Sequence, residues 1–148
     1  MKTIKELTES RLVGGDPIPA RILLADDNPH FLSRIAQSLR GWYEILALVS
    51  EGEAIVAEAE RLGPDVLVLD ISIGSVNGID VARRLWERGY SGKIVFLTVY
   101  EDVDFVRAAL AAGGSAYVFK SRSGSDLHPA IEAALSNQLF ISPPLGSG

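Results

Sequence analysis

Arg21-Ile22-Leu23-Leu24-Ala25-Asp26-Asp27-Asn28-Pro29 is a short apolar run that ends on two acids and then on a helix start. Asn28 suits an N-cap, and Pro29 suits the first helical position. Phe31, Ile35 and Leu39 follow at helical spacing, Leu32 and Ala36 widen the stripe, and Gly41 closes it. The pattern of strand, polar end and helix then repeats down the chain. Tyr43 to Val49 reads as a second strand, and Ala54, Ile55, Ala57, Ala59 and Leu62 mark a second helix stopped by Gly63-Pro64. Val66-Leu67-Val68-Leu69 ends on Asp70, and a third helix runs from Asn77 to Arg88 with Ile79, Val81, Ala82 and Leu85 inward. Ile94-Val95-Phe96-Leu97-Thr98 is the fourth strand, and Val103 to Ala112 the fourth helix, stopped by Gly113-Gly114. Ala116-Tyr117-Val118-Phe119 ends at Lys120, and Leu127 to Leu135 forms the last helix. Five strands thus alternate with five helices. The central strands lack period-two alternation, as strands covered on both faces do. Such alternation predicts an α/β fold with a doubly wound, five-stranded parallel sheet.

The totals agree. A chain of 148 residues, 47% hydrophobic and 22% charged, suits one domain with a real core. No apolar run approaches the ~18 residues of a membrane span, and the first ten residues lack the apolar stretch of a secretory signal. With no cysteine, disulfides and thiolate metal sites are excluded, which is compatible with a cytoplasmic location. A net charge of −5 disfavours direct nucleic-acid binding. Residues 1–20 read as an N-terminal extension: Met1 to Leu12 suits a short helix, and Gly14-Gly15-Asp16-Pro17-Ile18-Pro19 breaks regular structure. Residues 21–142 form the domain, and residues 143–148 read as a tail or linker stub.

In an open parallel sheet, ligands bind beyond the carboxyl ends of the strands, where strand order reverses. The polar residues fall at those ends: Asp26-Asp27, Asp70, Thr98 and Lys120. Singly, each has a plain explanation: turn acids, a good strand residue, a surface lysine. If the four strands are neighbours, all five side chains converge on one crevice. Three carboxylates together repel and call for a cation. With oxygen ligands alone, a hard ion such as Mg²⁺ is expected. A lysine ammonium and a threonine hydroxyl beside it suit phosphate oxygens, and a central carboxylate can serve as a phosphoryl acceptor.

With Asn77-Gly78 added to this set, residues 21–142 resemble the receiver domains of bacterial two-component response regulators. Arg21 to Pro29, and Asn137-Gln138-Leu139-Phe140-Ile141-Ser142-Pro143, are most similar to receivers of the helix-turn-helix (LuxR/NarL-type) subfamily. The resemblance implies a flavodoxin-like strand order 2-1-3-4-5. It implies Asp70 as phosphoacceptor, and Mg²⁺ held by Asp27, Asp70 and the backbone carbonyl of Ser72, with Asp26 acting through a water. Thr98 and Lys120 would bind the phosphoryl group, and Thr98 and Tyr117 would form the switch that alters the face of the fourth helix, fifth strand and fifth helix. The implied partners are a sensor histidine kinase, a homodimer mate, and DNA only through an output domain outside this chain, with no membrane. The implied catalysis is limited to its own phosphoryl transfer and dephosphorylation.

Two departures stand out. The family usually has Met-Pro at the third and fourth positions after the phosphoacceptor; here these are Ile73 and Gly74, which predict a looser loop. Ser121 stands where many receivers have Pro after the lysine. The altered loop motivates a competing reading, a phosphorylation-independent protein-binding module on the same fold. A phosphohydrolase with an Asp nucleophile is disfavoured, because Ser72 stands where such enzymes place a second Asp. A flavin module is disfavoured by the acidic loop after the first strand. His30 and His128 lack partners at metal-ligand spacing, and Trp42 and Trp86 read as partly buried anchors.

Overall fold

The computed structural model describes residues 12–13 and 16–144. In chain order the elements are β1 (Leu12–Val13), β2 (Asp16–Pro17), β3 (Arg21–Ala25), α1 (Pro29–Leu39), β4 (Glu44–Val49), α2 (Ile55–Leu62), β5 (Val66–Leu69), β6 (Ser72–Ile73), β7 (Val76–Asn77), α3 (Gly78–Glu87), β8 (Lys93–Thr98), α4 (Val103–Ala111), β9 (Ala116–Phe119), α5 (Ser123–Leu135) and β10 (Phe140–Ile141). One-turn 3₁₀ segments, Gly52–Ala54 and Lys120–Arg122, lead into α2 and α5.

The main sheet runs β4-β3-β5-β8-β9-β10, all parallel. Its first five strands carry the expected 2-1-3-4-5 order. The expected five-strand count is corrected by β10, whose Phe140 and Ile141 pair with Ala116 and Tyr117. The stretch that resembles a linker is therefore, in part, an edge strand. Phe140 packs toward the core while Leu139 and Ile141 face out.

Burial explains the continuous apolar runs. All four residues of β5 are at most 2% exposed. Each such aliphatic side chain contributes about 1.5–3 kcal/mol relative to exposure. Alternation still sorts the two faces. Ile22 and Leu24 pack with α1 and α5 through Leu32, Ile35, Leu127 and Ile131. Leu23 and Ala25 pack with α2, α3 and α4 through Ile55, Leu85 and Val106. The central strands are thus sandwiched between helices, which leaves their ends open to solvent-facing side chains.

Three further readings change. Leu12–Val13 pairs antiparallel with Asp16–Pro17, so Leu12 is in a strand; the rest of the expected helix lies outside the described residues, as do Gly14-Gly15 and residues 145–148. The last helix begins at Ser123, four residues before Leu127, and carries Pro129 inside it. Trp42 and Trp86 are 63% and 69% exposed, so they are surface residues. Trp42 lies against His128, ring centroids 4.5 Å apart, because it falls in the turn after α1 beside α5.

Candidate functional site

Asp26 follows β3 directly, and its amide donates to Val49 O at 3.1 Å. Its Oδ1 accepts from the Asn28 amide at 2.9 Å, while Asn28 Oδ1 accepts from the Phe31 amide at 3.1 Å. The N-cap of α1 and the orientation of Asp26 are thus one arrangement. Asp70 is set by its amide, which donates to Ala25 O, and by its Oδ1, which accepts from the Ile71 amide at 2.7 Å. Behind it, the Gly78 amide donates to Ile71 O at 2.6 Å, and a Cβ at Gly78 would lie 1.9 Å from Asp70 O. Asn77-Gly78 is therefore the place where α3 comes to rest on the Asp70 backbone.

Carboxylate oxygens of Asp26, Asp27 and Asp70 lie within 4.8 Å of one another, with Asp26 and Asp70 buried and Asp27 exposed. Lys120 Nζ lies 2.6 Å from Asp26 Oδ2 and 2.9 Å from Asp70 Oδ2, and 4.5 Å from the centroid of the Phe31 ring. The contact to Asp70 is an aligned hydrogen bond; that to Asp26 Oδ2 is an ion-pair approach without hydrogen-bond alignment. Phe31 reads in the sequence only as part of a helix stripe, so its place over the ammonium comes from the fold.

Electrostatics here are unbalanced. Burial raises the Asp26 carboxyl above its ordinary range, and the nearby Asp70 charge adds to this; Lys120 and the Asn28 amide only partly offset them. Burial pulls the Lys120 ammonium down, but its close contacts with the Asp26 and Asp70 carboxylates outweigh that and raise it, so it stays charged. One ammonium faces three acids. The donor set is all oxygen, and its crowding is what a hard divalent cation relieves, so the residues fit Mg²⁺.

The neighbouring strand ends carry the remaining residues. Thr98 closes β8 in register with Phe119; it is fully buried and its Oγ1 has no partner. A buried hydroxyl without a protein partner is uncommon. Tyr117 is fully buried, in the inward position, and its hydroxyl donates to Tyr100 O at 2.6 Å. Burial first, then the Asp70 charge, pushes this phenol well above its usual range, so it remains a donor.

The loop at Ile73-Gly74 is built as a hairpin. Ser72 pairs with Asn77 and Ile73 with Val76, leaving a two-residue link. Gly74 takes φ 61°, the left-handed value that the first position of a II′ turn requires. Its amide donates to Asp27 Oδ2 at 3.2 Å. The residue that departs from the family pattern thus holds one of the three acids. Sequence reasoning located the acids, Thr98 and Lys120, but missed this contact, because it depends on a backbone amide.

Comparison with known proteins follows from this geometry. Residues 22–132 match the response regulator receiver domain, and the chain belongs to that family. It is 32% identical over 129 residues to the nitrate/nitrite response regulator NarL of Escherichia coli K12, covering 86% of this chain and 60% of that protein. It is 37% identical over 120 residues to the transcriptional regulatory protein PdtaR of Mycobacterium tuberculosis, covering 80% and 58%. A LuxR-family two-component response regulator from Aurantimonas aligns with TM-score 0.80 at 28% identity, over 84% of this chain and 91% of that one. The chain spans about three fifths of the length of the curated relatives it matches.

Proposed function

We propose that Asp70 is the phosphoacceptor of this receiver domain and that its modification switches a protein-interaction surface. The single observation that carries this is the Asp26, Asp27 and Asp70 cluster bridged by Lys120. An Asp70 carboxylate oxygen forms the new bond to phosphorus as the donor's bond to phosphorus breaks, and the donor keeps that electron pair. Asp27, Asp70 and the Ser72 carbonyl would hold Mg²⁺, with Asp26 acting through a water. Bound there, Mg²⁺ supplies the positive charge that phosphoryl transfer between anions needs. Lys120 gives a phosphoryl oxygen a compact cation, and Thr98 offers the free hydroxyl noted above. Adding roughly two negative charges at Asp70 biases Thr98 and Tyr117, and through them the face of α4, β9 and α5.

The natural donor is a sensor histidine kinase, and the chain's own chemistry is limited to gaining and losing the phosphoryl group. Residues 21–142 act as the receiver, and residues 1–20 and 143–148 as its flanks. A homodimer mate remains among the partners. Contact with DNA belongs to an output domain outside these residues, in keeping with the net charge of −5. A cytoplasmic place of action is part of the same proposal; among the described residues no helix is long and apolar enough to cross a membrane.

Incubation with Mg²⁺ and acetyl phosphate, read by intact mass, tests the assignment. Wild type should gain one phosphoryl group and Asp70→Asn none. A gain that survives Asp70→Asn, or no gain in Mg²⁺-bound wild type, defeats it.

A further inference from the structure

Five polar or charged residues are buried among the described residues: Asp26, Asp70, Thr98, Asp126 and Ser142. The first three belong to the acidic crevice. The other two form a second cluster on the far side of the β9 end, and no role is yet attached to them. Asp126 Oδ2 accepts from Ser142 Oγ at 2.7 Å and from Arg122 Nε at 2.8 Å, and Oδ1 accepts from Ser125 Oγ at 2.9 Å. Ser142 Oγ accepts from the Phe119 amide at 3.1 Å, and the Ser142 amide donates to Tyr117 O at 2.9 Å.

These bonds bracket Lys120 and Ser121. Phe119 precedes Lys120 and is held by Ser142; Arg122 follows it by two and is held by Asp126. The 3₁₀ turn Lys120–Arg122 is therefore tied at both ends to one Asp126–Ser142 pair. The Lys120 ammonium must span Asp26 and Asp70 together, at 2.6 and 2.9 Å. We propose that Asp126 and Ser142 are positioning residues for Lys120, acting through the backbone of Phe119 and the side chain of Arg122. This rests on the reading of Lys120 as a phosphoryl-binding residue. Ser142 lies just past β10, so seating of the C-terminal strand and the geometry of the phosphorylation site become one equilibrium. Whatever pulls on the chain after Ser142 then acts on Lys120, and occupation of the site acts on the strand by the same amount.

Two readouts on the full chain test this. The first is the rate of phosphoryl gain from acetyl phosphate with Mg²⁺, in wild type, Ser142→Ala, Ser142→Thr and Asp126→Asn. Ser142→Ala should be slower by roughly tenfold, inside the ~100-fold that a 1 Å misplacement can cost, and Ser142→Thr, which keeps the hydroxyl, should recover most of the rate. The second needs no phosphorylation: acylation of Lys120 by an amine-reactive acetylating reagent, read by peptide mass against Lys93. Ser142→Ala should label severalfold faster at Lys120 and unchanged at Lys93. If Ser142→Ala melts below the assay temperature, Asp126→Asn carries both measurements. Unchanged Lys120 labelling overturns the proposal, as does an equal rise at Lys93. Faster Lys120 labelling with no phosphoryl gain in wild type would uphold the positioning role and remove the phosphoacceptor reading instead.

Discussion

Asp26 and Asp126 are both buried aspartates, one directly after β3 and the other in α5 beside the end of β9, and their environments drive them in opposite directions. Both meet a burial cost that favours the neutral acid. At Asp126, donors from Arg122, Ser142 and Ser125 outweigh it, and the carboxyl is held below its ordinary range. At Asp26 the Lys120 ammonium and the Asn28 amide do not outweigh it, and the Asp70 charge works against them, so the carboxyl is raised. One acid is satisfied by its own chain; the other is left short of positive charge. The same fold satisfies one carboxylate and leaves another, 100 residues away in sequence (Asp126 and Asp26), short of donors, which is the arrangement the proposed Mg²⁺ site requires.

Substitutions can break or sharpen that contrast. The largest expected effect on stability is at Gly78, where a Cβ would meet Asp70 O. Gly78→Ala should lower unfolding free energy by about 3 kcal/mol, as overpacking against backbone does, and should weaken Mg²⁺ binding by moving Asp70. Denaturant unfolding with and without Mg²⁺ measures both, and a variant indistinguishable from wild type would mean that α3 does not rest on Asp70.

Asp126→Asn should cost about 2 kcal/mol at neutral pH, because the buried Ser142 hydroxyl and the half-buried Arg122 guanidinium lose a charged acceptor. The sign of its pH dependence is fixed by the lowered carboxyl. That stability is present above the unfolded-state value near 3.8 and is lost as pH falls through the still lower folded value. The gap between wild type and Asp126→Asn should therefore close only below that pH. A gap that closes at higher pH contradicts the satisfied environment.

Asp26→Asn gives the smallest effect and the opposite sign. Its raised carboxyl means that the charged form opposes folding at neutral pH. Without Mg²⁺ the variant should be more stable than wild type by about 1 kcal/mol, and that gain should shrink as Mg²⁺ is added. Thermal melts across a Mg²⁺ series read this directly, and a less stable metal-free variant would show that the crevice is already balanced by Lys120.

The legible parts of the molecule were those written in local pattern. Apolar runs placed β3, β4, β5, β8 and β9, and helical spacing placed α1 to α4 to within a residue or so. Asn28 was readable as a cap because capping needs only its own segment. The start of α5 was not readable: Ser123-Gly124-Ser125-Asp126 looks like a turn, and the helix there is held by Arg122, Ser125 and Ser142 around Asp126. Strand β10 was missed for the same reason, since two residues carry no periodicity and the pairing partner lies far back in the chain. At the site, the acids, Thr98 and Lys120 could be listed from strand ends alone. The hold of Gly74 on Asp27, the Phe31 ring near Lys120 and the burial of Tyr117 could not.

By itself, then, the sequence determined which residue types stand at the ends of which strands, because strand, helix and cap preferences act over a few neighbours. Only the tertiary structure decided which of two buried aspartates is satisfied and which is left in need of a cation. That depends on donors brought from distant segments, and a carboxylate's charge state is set by what surrounds it in space.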